Sequence, residues 1–63
     1  MSSDRAQLSS VSTALEDLTS RITESAERHV GTADEDIASE LFEIERSMRA
    51  AGRRLSRLVR RMP

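Results

Sequence analysis

Val30-Gly31-Thr32-Ala33-Asp34-Glu35 divides the chain into two parts, because one helix-period pattern stops there and a second one starts. Glycine readily adopts the left-handed conformation that follows many helices, so Gly31 predicts a helix end. Thr32 and Glu35 have the spacing of a capping box, in which the two side chains bond free N–H groups at the start of a helix. The stretch therefore predicts the tip of a helical hairpin.

Apolar residues advance by three and four on both sides of this tip, which is the a/d spacing of a coiled coil. We expect a first helix at about residues 4–30, a turn at about 31–33 and a second helix at about 33–61. Residues 1–63 would then form one all-α domain, an antiparallel two-helix hairpin. The two apolar seams are Leu8, Val11, Leu15, Leu18 and Ile22 in the first helix, and Ile37, Leu41, Ile44, Met48, Ala51, Leu55, Leu58 and Met62 in the second.

Folding the chain at Gly31 predicts the register of the two helices. Short connections make consecutive helices antiparallel neighbours, and residues whose numbers sum to about 62 or 63 then face each other. Arg21 would lie beside Glu40 in this register. A competing arrangement is one continuous helix that contains Gly31 and assembles between chains. The expected apolar pairs are Leu8 with Leu55, Val11 with Ala51, Leu15 with Met48, Leu18 with Ile44, and Ile22 with Leu41.

The size of the chain favours self-association. A domain of about 60 residues buries only about 60% of its unfolded surface, and Phe42 is the only aromatic residue here. Small, uncharged residues beside Phe42 would let a second hairpin approach closely. We therefore expect a homodimer that forms a four-helix bundle. Two alternatives remain: Phe42 packs along the edge of its own hairpin, or a different protein docks there. The predicted interface residues are Phe42, Ala38, Ser12, Thr19 and Ala26.

A formal net charge of −1 conceals a sharp division of charge along the chain. We define the open end as residues 1–17 with 46–63, and the tip half as residues 18–45. The open end has eight Arg against three acids, a formal charge of +5, and the tip half has two Arg against eight acids, −6. An outward stripe of arginine attracts anionic partners. The stripe that we expect to bind such a partner is Arg46, Arg49, Arg53, Arg57 and Arg60.

Four interpretations of this arginine stripe are compatible with the sequence. It could bind an acidic protein surface, nucleic-acid phosphates or an anionic membrane, or it could be a solvated face that favours a helix C-terminus. Nucleic-acid binding lacks support from interleaved aromatic residues or a known motif. Membrane binding is disfavoured because interfacial Trp and Phe are missing from the amphipathic C-terminal segment.

No constellation in the sequence predicts catalysis. Cysteine is absent, which excludes disulfides and thiolate metal sites. His29 is the only histidine, and we expect it to act as a polar cap at the end of the first helix. Carboxylates such as Glu16 and Asp17 lie on solvated faces, where nothing raises a pKa toward catalytic use. We therefore expect no catalytic, cofactor-binding or metal-binding residue.

The functional expectation is a non-enzymatic protein–protein interaction module, a small regulator or accessory subunit. It would act through helical packing and the C-terminal arginine stripe, with a homodimer partner and a further protein partner. The alternative is a nucleic-acid-associated protein that binds the phosphate backbone through the same stripe. The polar start of the chain and the lack of a run of about 18 apolar residues predict a soluble, cytoplasmic protein without a membrane partner.

Overall fold

Two long α-helices form the whole described structure. The computed structural model describes residues 3–63, with side chains from Asp4 onward. Helix α1 spans Ser3–His29 and helix α2 spans Glu35–Arg61, each with 27 residues. The helices pack against each other as an antiparallel hairpin that measures 51 × 14 × 10 Å along its principal axes. The predicted hairpin is confirmed, and the continuous-helix alternative is wrong.

The tip of the hairpin confirms one part of the sequence prediction and corrects another. Gly31 has a φ of +76°, the left-handed conformation expected after a helix. The predicted capping box of Thr32 and Glu35 does not form. The Thr32 hydroxyl instead donates to the carbonyl of His29 at 2.6 Å and accepts from the Asp34 N–H at 3.1 Å. Because the hydroxyl bonds within the tip, α2 begins at Glu35 and not at about residue 33.

Two side-chain contacts between the helices define the register. The hydroxyls of Ser12 and Ser56 lie 3.0 Å apart, and the Thr23 hydroxyl donates to Glu45 Oε2 at 2.7 Å. The residue numbers of each of these pairs sum to 68. These two contacts do not match the predicted sum of about 62 or 63, and the connection between the helices, residues 30–34, is longer than the expected turn.

The shift of register also removes an expected ion pair. Arg21 does not reach Glu40 across the hairpin. Its Nε lies 3.6 Å from Asp17 Oδ2, one turn earlier on the same helix. Both of these side chains are about 70% exposed, so the pair contributes little to the stability of the hairpin.

Small side chains occupy the line along which the helices meet. Thr19, Ala26 and Ala38 are buried, with at most 3% of their surface exposed. By contrast, Val11 is 50% exposed and Leu18 is 47% exposed, although the sequence predicted that they face the other helix. Both side chains are therefore about half exposed and are not enclosed between the two helices. Small residues allow close approach of two helices, which displaces the larger apolar side chains to one side.

Gly52 lies on this meeting line without a tight neighbour. A Cβ atom at Gly52 would lie 3.6 Å from Leu15 Cδ2, which is an ordinary van der Waals contact. Within residues 3–63 no backbone atom of the other helix lies within 4 Å of such a Cβ atom, and its nearest neighbour is a flexible side chain. Glycine inside a helix costs about 1 kcal/mol relative to alanine, and packing inside the hairpin does not require it here.

The described helices are amphipathic and carry many charges. Neither α1 nor α2 contains an apolar segment long enough to cross a lipid bilayer.

Candidate functional site

Three parallel rows of residues, each repeating every seven positions, organise the surface of the hairpin. The contact row faces the other helix and consists of small or polar residues together with Val59. The position before each contact residue is mainly apolar, and the position after it is polar. The contact row is Ser12, Thr19 and Ala26 in α1, and Ala38, Glu45, Gly52 and Val59 in α2.

The row before the contact row forms an apolar face. Its large side chains are each between 42% and 50% exposed. Two antiparallel helices are related by a two-fold axis perpendicular to the plane that contains both helix axes. Equivalent positions of α1 and α2 therefore lie on the same face of the molecule. Half-buried leucine, isoleucine and methionine residues lie between these side chains and the contact row. The apolar face consists of Val11, Leu18, Ile37, Ile44 and Leu58.

The hairpin cannot cover this apolar face by itself. No large side chain among residues 3–63 is fully buried, and the buried apolar residues are only Ala26 and Ala38. A single layer of helices has no second layer against which to bury its larger side chains, whereas stable domains are built from at least two layers. The apolar face is therefore a surface suited to a partner helix or sheet.

A polar groove runs along the opposite side of the hairpin at its open end. Ile44 and Arg53 are nine positions apart, about two and a half helical turns, so they lie on opposite sides of α2. Val11 and Ser20 have the same relation in α1. The groove encloses about 470 Å³. Four arginines line it together with serine and threonine hydroxyls: Arg49, Arg53, Arg57 and Arg60 with Ser12, Thr19, Ser20 and Ser56.

Within the described structure, two of the five arginines in the stripe predicted from the sequence form ion pairs, and three do not. Arg46 pairs with Glu43 at 3.3 Å, and Arg49 pairs with Glu45 at 2.8 Å. Arg53, Arg57 and Arg60 make no salt bridge to any residue of the described range 3–63. The structure therefore brings four of the five predicted residues to one groove and leaves three of them available for an external anion.

A network of three side chains joins the two helices at Arg49, one of the residues that line the groove. Glu45 accepts hydrogen bonds from the Thr23 hydroxyl at 2.7 Å and from Arg49 Nε at 2.9 Å. Thr23 has one hydroxyl proton, and the charged, closer Glu45 oxygen is a better acceptor for it than the Thr19 carbonyl at 3.2 Å. The hydrogen bond from Thr23, followed by that from Arg49, lowers the pKa of Glu45 below its ordinary value. Glu45 therefore stays ionised and links both helices.

Three of the five residues predicted for a dimer interface lie inside the hairpin. Thr19, Ala26 and Ala38 are buried between the two helices of the same chain, and Ser12 and Phe42 are half-buried. A second chain cannot reach the three buried residues while this hairpin is closed. The repeat of small residues at positions 12, 19 and 26 was the signal for this location, because a seven-residue spacing of small side chains is suited to close helix contact.

The remaining sequence expectations concern His29 and metal binding. His29 is the last residue of α1, and its Nδ1 lies 2.8 Å from the carbonyl oxygen of Ser25. A carbonyl only accepts hydrogen bonds, so Nδ1 carries the proton. Among residues 3–63 no group of three His, Asp or Glu side chains is placed to hold a metal ion.

Comparisons of the chain with protein-family models, with curated proteins and with solved structures found no match.

Proposed function

We propose that this protein is a non-enzymatic protein–protein interaction module that forms a homodimer, with the apolar face of one hairpin against that of its partner. The resulting assembly is a four-helix bundle. The apolar face supports this proposal most strongly. Its large side chains repeat at helical spacing, which is typical of a buried face, but in the single hairpin they are about half exposed. A patch of exposed apolar side chains on one face is typical of an interface.

The surface area of the hairpin supports a partner of the same size. Its accessible surface is 4857 Å², whereas a compact monomer of 7.0 kDa has about 4,000 Å². The excess of about 800 Å² is similar to the area that each partner buries in a standard interface. A second copy of the hairpin offers an apolar face of matching length and width, because the interface of a two-fold dimer uses the same patch on both subunits.

The charge distribution favours an antiparallel arrangement of the two hairpins. The open end has a formal charge of +5 and the tip half −6. A two-fold axis perpendicular to the long axis brings the open end of each subunit beside the tip half of its partner. Opposite charges then lie together at both ends of the bundle, whereas a parallel arrangement brings like charges together and is disfavoured.

In this arrangement the groove side of each hairpin faces outward. We propose that the bundle acts in the cytoplasm as a small regulator or accessory subunit. The outward groove would then be available for a further partner at each end of the dimer.

Ile44→Asp tests the proposed interface. A buried carboxylate at the centre of an apolar contact is strongly unfavourable, so we expect sedimentation equilibrium to shift toward the 7.0 kDa monomer. Ser39→Asp is the matched control, because it adds the same charge to an exposed position on the other side of α2. Ile44→Ala, which keeps the helix, should weaken the dimer to a smaller extent. Equal masses for all three variants and the wild type would contradict the proposal.

A further inference from the structure

We propose that the polar groove at the open end binds a compact phosphorylated ligand that carries two or three phosphate groups. The groove volume of about 470 Å³ lies within the usual range of small-ligand sites, about 300–1,000 Å³. The groove lies on the side opposite the apolar face, so the proposed dimer leaves it open. The site therefore does not depend on dimer formation.

Three guanidinium groups provide the positive charge of the site. Arg53, Arg57 and Arg60 line the groove without a salt bridge inside residues 3–63. Along the axis of α2, Arg53 and Arg57 are about 6 Å apart, and Arg57 and Arg60 are about 4.5 Å apart. The planar fork of arginine binds phosphate with two parallel hydrogen bonds. Glu16 is the only acid in the lining, so the three arginines leave an excess of two positive charges.

A pair of hydroxyls adds a neutral donor to the site. Ser12 and Ser56 lie 3.0 Å apart across the groove, and one of the two hydroxyl protons makes the bond between them. Within residues 3–63 neither hydroxyl donates to a carbonyl of its own helix, in contrast to Thr19, which donates to the Leu15 carbonyl at 2.6 Å. One hydroxyl proton is thus available to a ligand oxygen.

Gly52 supplies the floor of the groove. It lines the groove together with the arginines and the serine pair. An alanine at this position would make only an ordinary contact with Leu15, so packing inside the hairpin does not explain a helix-weakening glycine. A Cβ atom here would narrow the groove where the ligand approaches the backbone. Close approach of a ligand is one of the uses of glycine in proteins.

The charge and composition of the hairpin favour a compact phosphate ligand over a long nucleic acid. The tip half carries −6 and repels any polyanion that continues along the rod beyond the open end. Phe42 is the only aromatic residue and is half-buried within the hairpin, so no exposed ring can stack on bases. A phosphate group also offers three acceptor oxygens, which suits several arginines and a hydroxyl better than a single carboxylate does.

Calorimetric titration with tripolyphosphate tests the site. We expect binding to the wild type, and a loss of affinity of about tenfold or more in Arg53→Gln/Arg57→Gln, because each removes a charge-assisted contact. Arg54→Gln/Arg61→Gln is the matched control, since it removes the same charge from α2 outside the groove. The control should bind tripolyphosphate within about twofold of the wild type.

Parallel titrations with a 20-nucleotide single-stranded DNA and with a glutamate-rich peptide identify the class of ligand. Absence of tripolyphosphate binding, or binding of the DNA or the peptide alone, would overturn the proposal. An equal loss of affinity in both double variants would also overturn it, because it would show a diffuse charge effect and no defined site.

Gly52→Ala provides an independent test of the groove floor. The variant keeps every charge of the open end and should fold at least as well as the wild type, as circular dichroism can verify. We expect it to bind tripolyphosphate more weakly than the wild type. Unchanged affinity would contradict the role assigned to Gly52.

Discussion

Thr23 of α1 donates a hydrogen bond to Glu45 of α2, with 2.7 Å between the Thr23 Oγ1 and Glu45 Oε2 atoms. This bond and the contact of Ser12 with Ser56 both join residues whose numbers sum to 68, so together they define one register of the antiparallel pair. Glu45 is a member of the contact row, where its carboxylate is held by Thr23 on one side and by Arg49 on the other. Each of these two polar contacts joins a member of the contact row to a residue outside the row on the other helix, and together they specify the register of the hairpin.

Thr23→Val removes this bond while it keeps the shape of the side chain. We expect a lower midpoint of urea denaturation, because Glu45 loses a hydrogen bond between the helices. Thr13→Val is the matched control, since the Thr13 hydroxyl donates only to the Ser9 carbonyl of its own helix and is exposed. A decrease no larger than that of the control would show that the Thr23 bond does not stabilise the hairpin.

The low pKa of Glu45 predicts a pH dependence of stability. Hydrogen bonds from Thr23 and Arg49 lower this pKa from about 4.5. A carboxyl group with a lower pKa in the folded state stabilises the fold above its unfolded pKa, and this contribution is lost as the pH falls through the folded value. We expect the wild type to have a higher denaturation midpoint than Glu45→Gln at neutral pH. The difference should shrink as the pH falls below about 4.5, and a constant difference would contradict the assignment.

Replacement of each of the two glycines by alanine should change the free energy of unfolding in opposite directions. Gly31→Ala should lower the free energy of unfolding by about 1 kcal/mol or more, because Gly31 has a φ of +76° and alanine is strained there. Gly52→Ala should raise it by about 0.5–1 kcal/mol, since an alanine fits inside the helix. Thermal denaturation of both variants measures these changes. Effects of the same sign would show that the tip conformation or the environment of Gly52 is misassigned.

The seven-residue repeat could be predicted from the sequence, but the orientation of the helices about their own axes could not. Periodicity shows that apolar residues share one side of each helix, and this was sufficient to predict the hairpin and its two long helices. It does not distinguish the row that faces the other helix from the row beside it. Leu18 was assigned to the hairpin contact because it is large and apolar, whereas the structure buries its neighbour Thr19 there. Close approach of the helices favoured the smaller side chain.

The groove was only partly predictable for a related reason. The outward spacing of the arginines was visible in the sequence, but their pairing was not. Arg49 is held by Glu45 at 2.8 Å, and this contact depends on the orientation of Glu45 toward Thr23. The serine side of the groove depends on the register, which the five residues of the connection shift from the expected value. Local turn chemistry at Thr32 therefore determined which residues meet about 30 Å away along the helices.

The proposed antiparallel dimer predicts a long distance between the two tips. The chain has no cysteine, so Ala33→Cys introduces a single attachment point for a spin label at an exposed tip position. Pulsed electron paramagnetic resonance should give an intermolecular distance of about 40 Å, the length of one helix. A distance below about 20 Å would indicate a parallel bundle, because the tips would then lie side by side.

The proposed dimer requires that a second copy of the chain covers the apolar face of the hairpin. Sedimentation equilibrium of the wild-type protein over a range of concentrations tests it most directly. We expect a mass of twice the 7.0 kDa of the chain, with a shift toward the monomer only on dilution. A mass of 7.0 kDa at all concentrations up to about 100 μM, about −5.5 kcal/mol in association free energy, would contradict it.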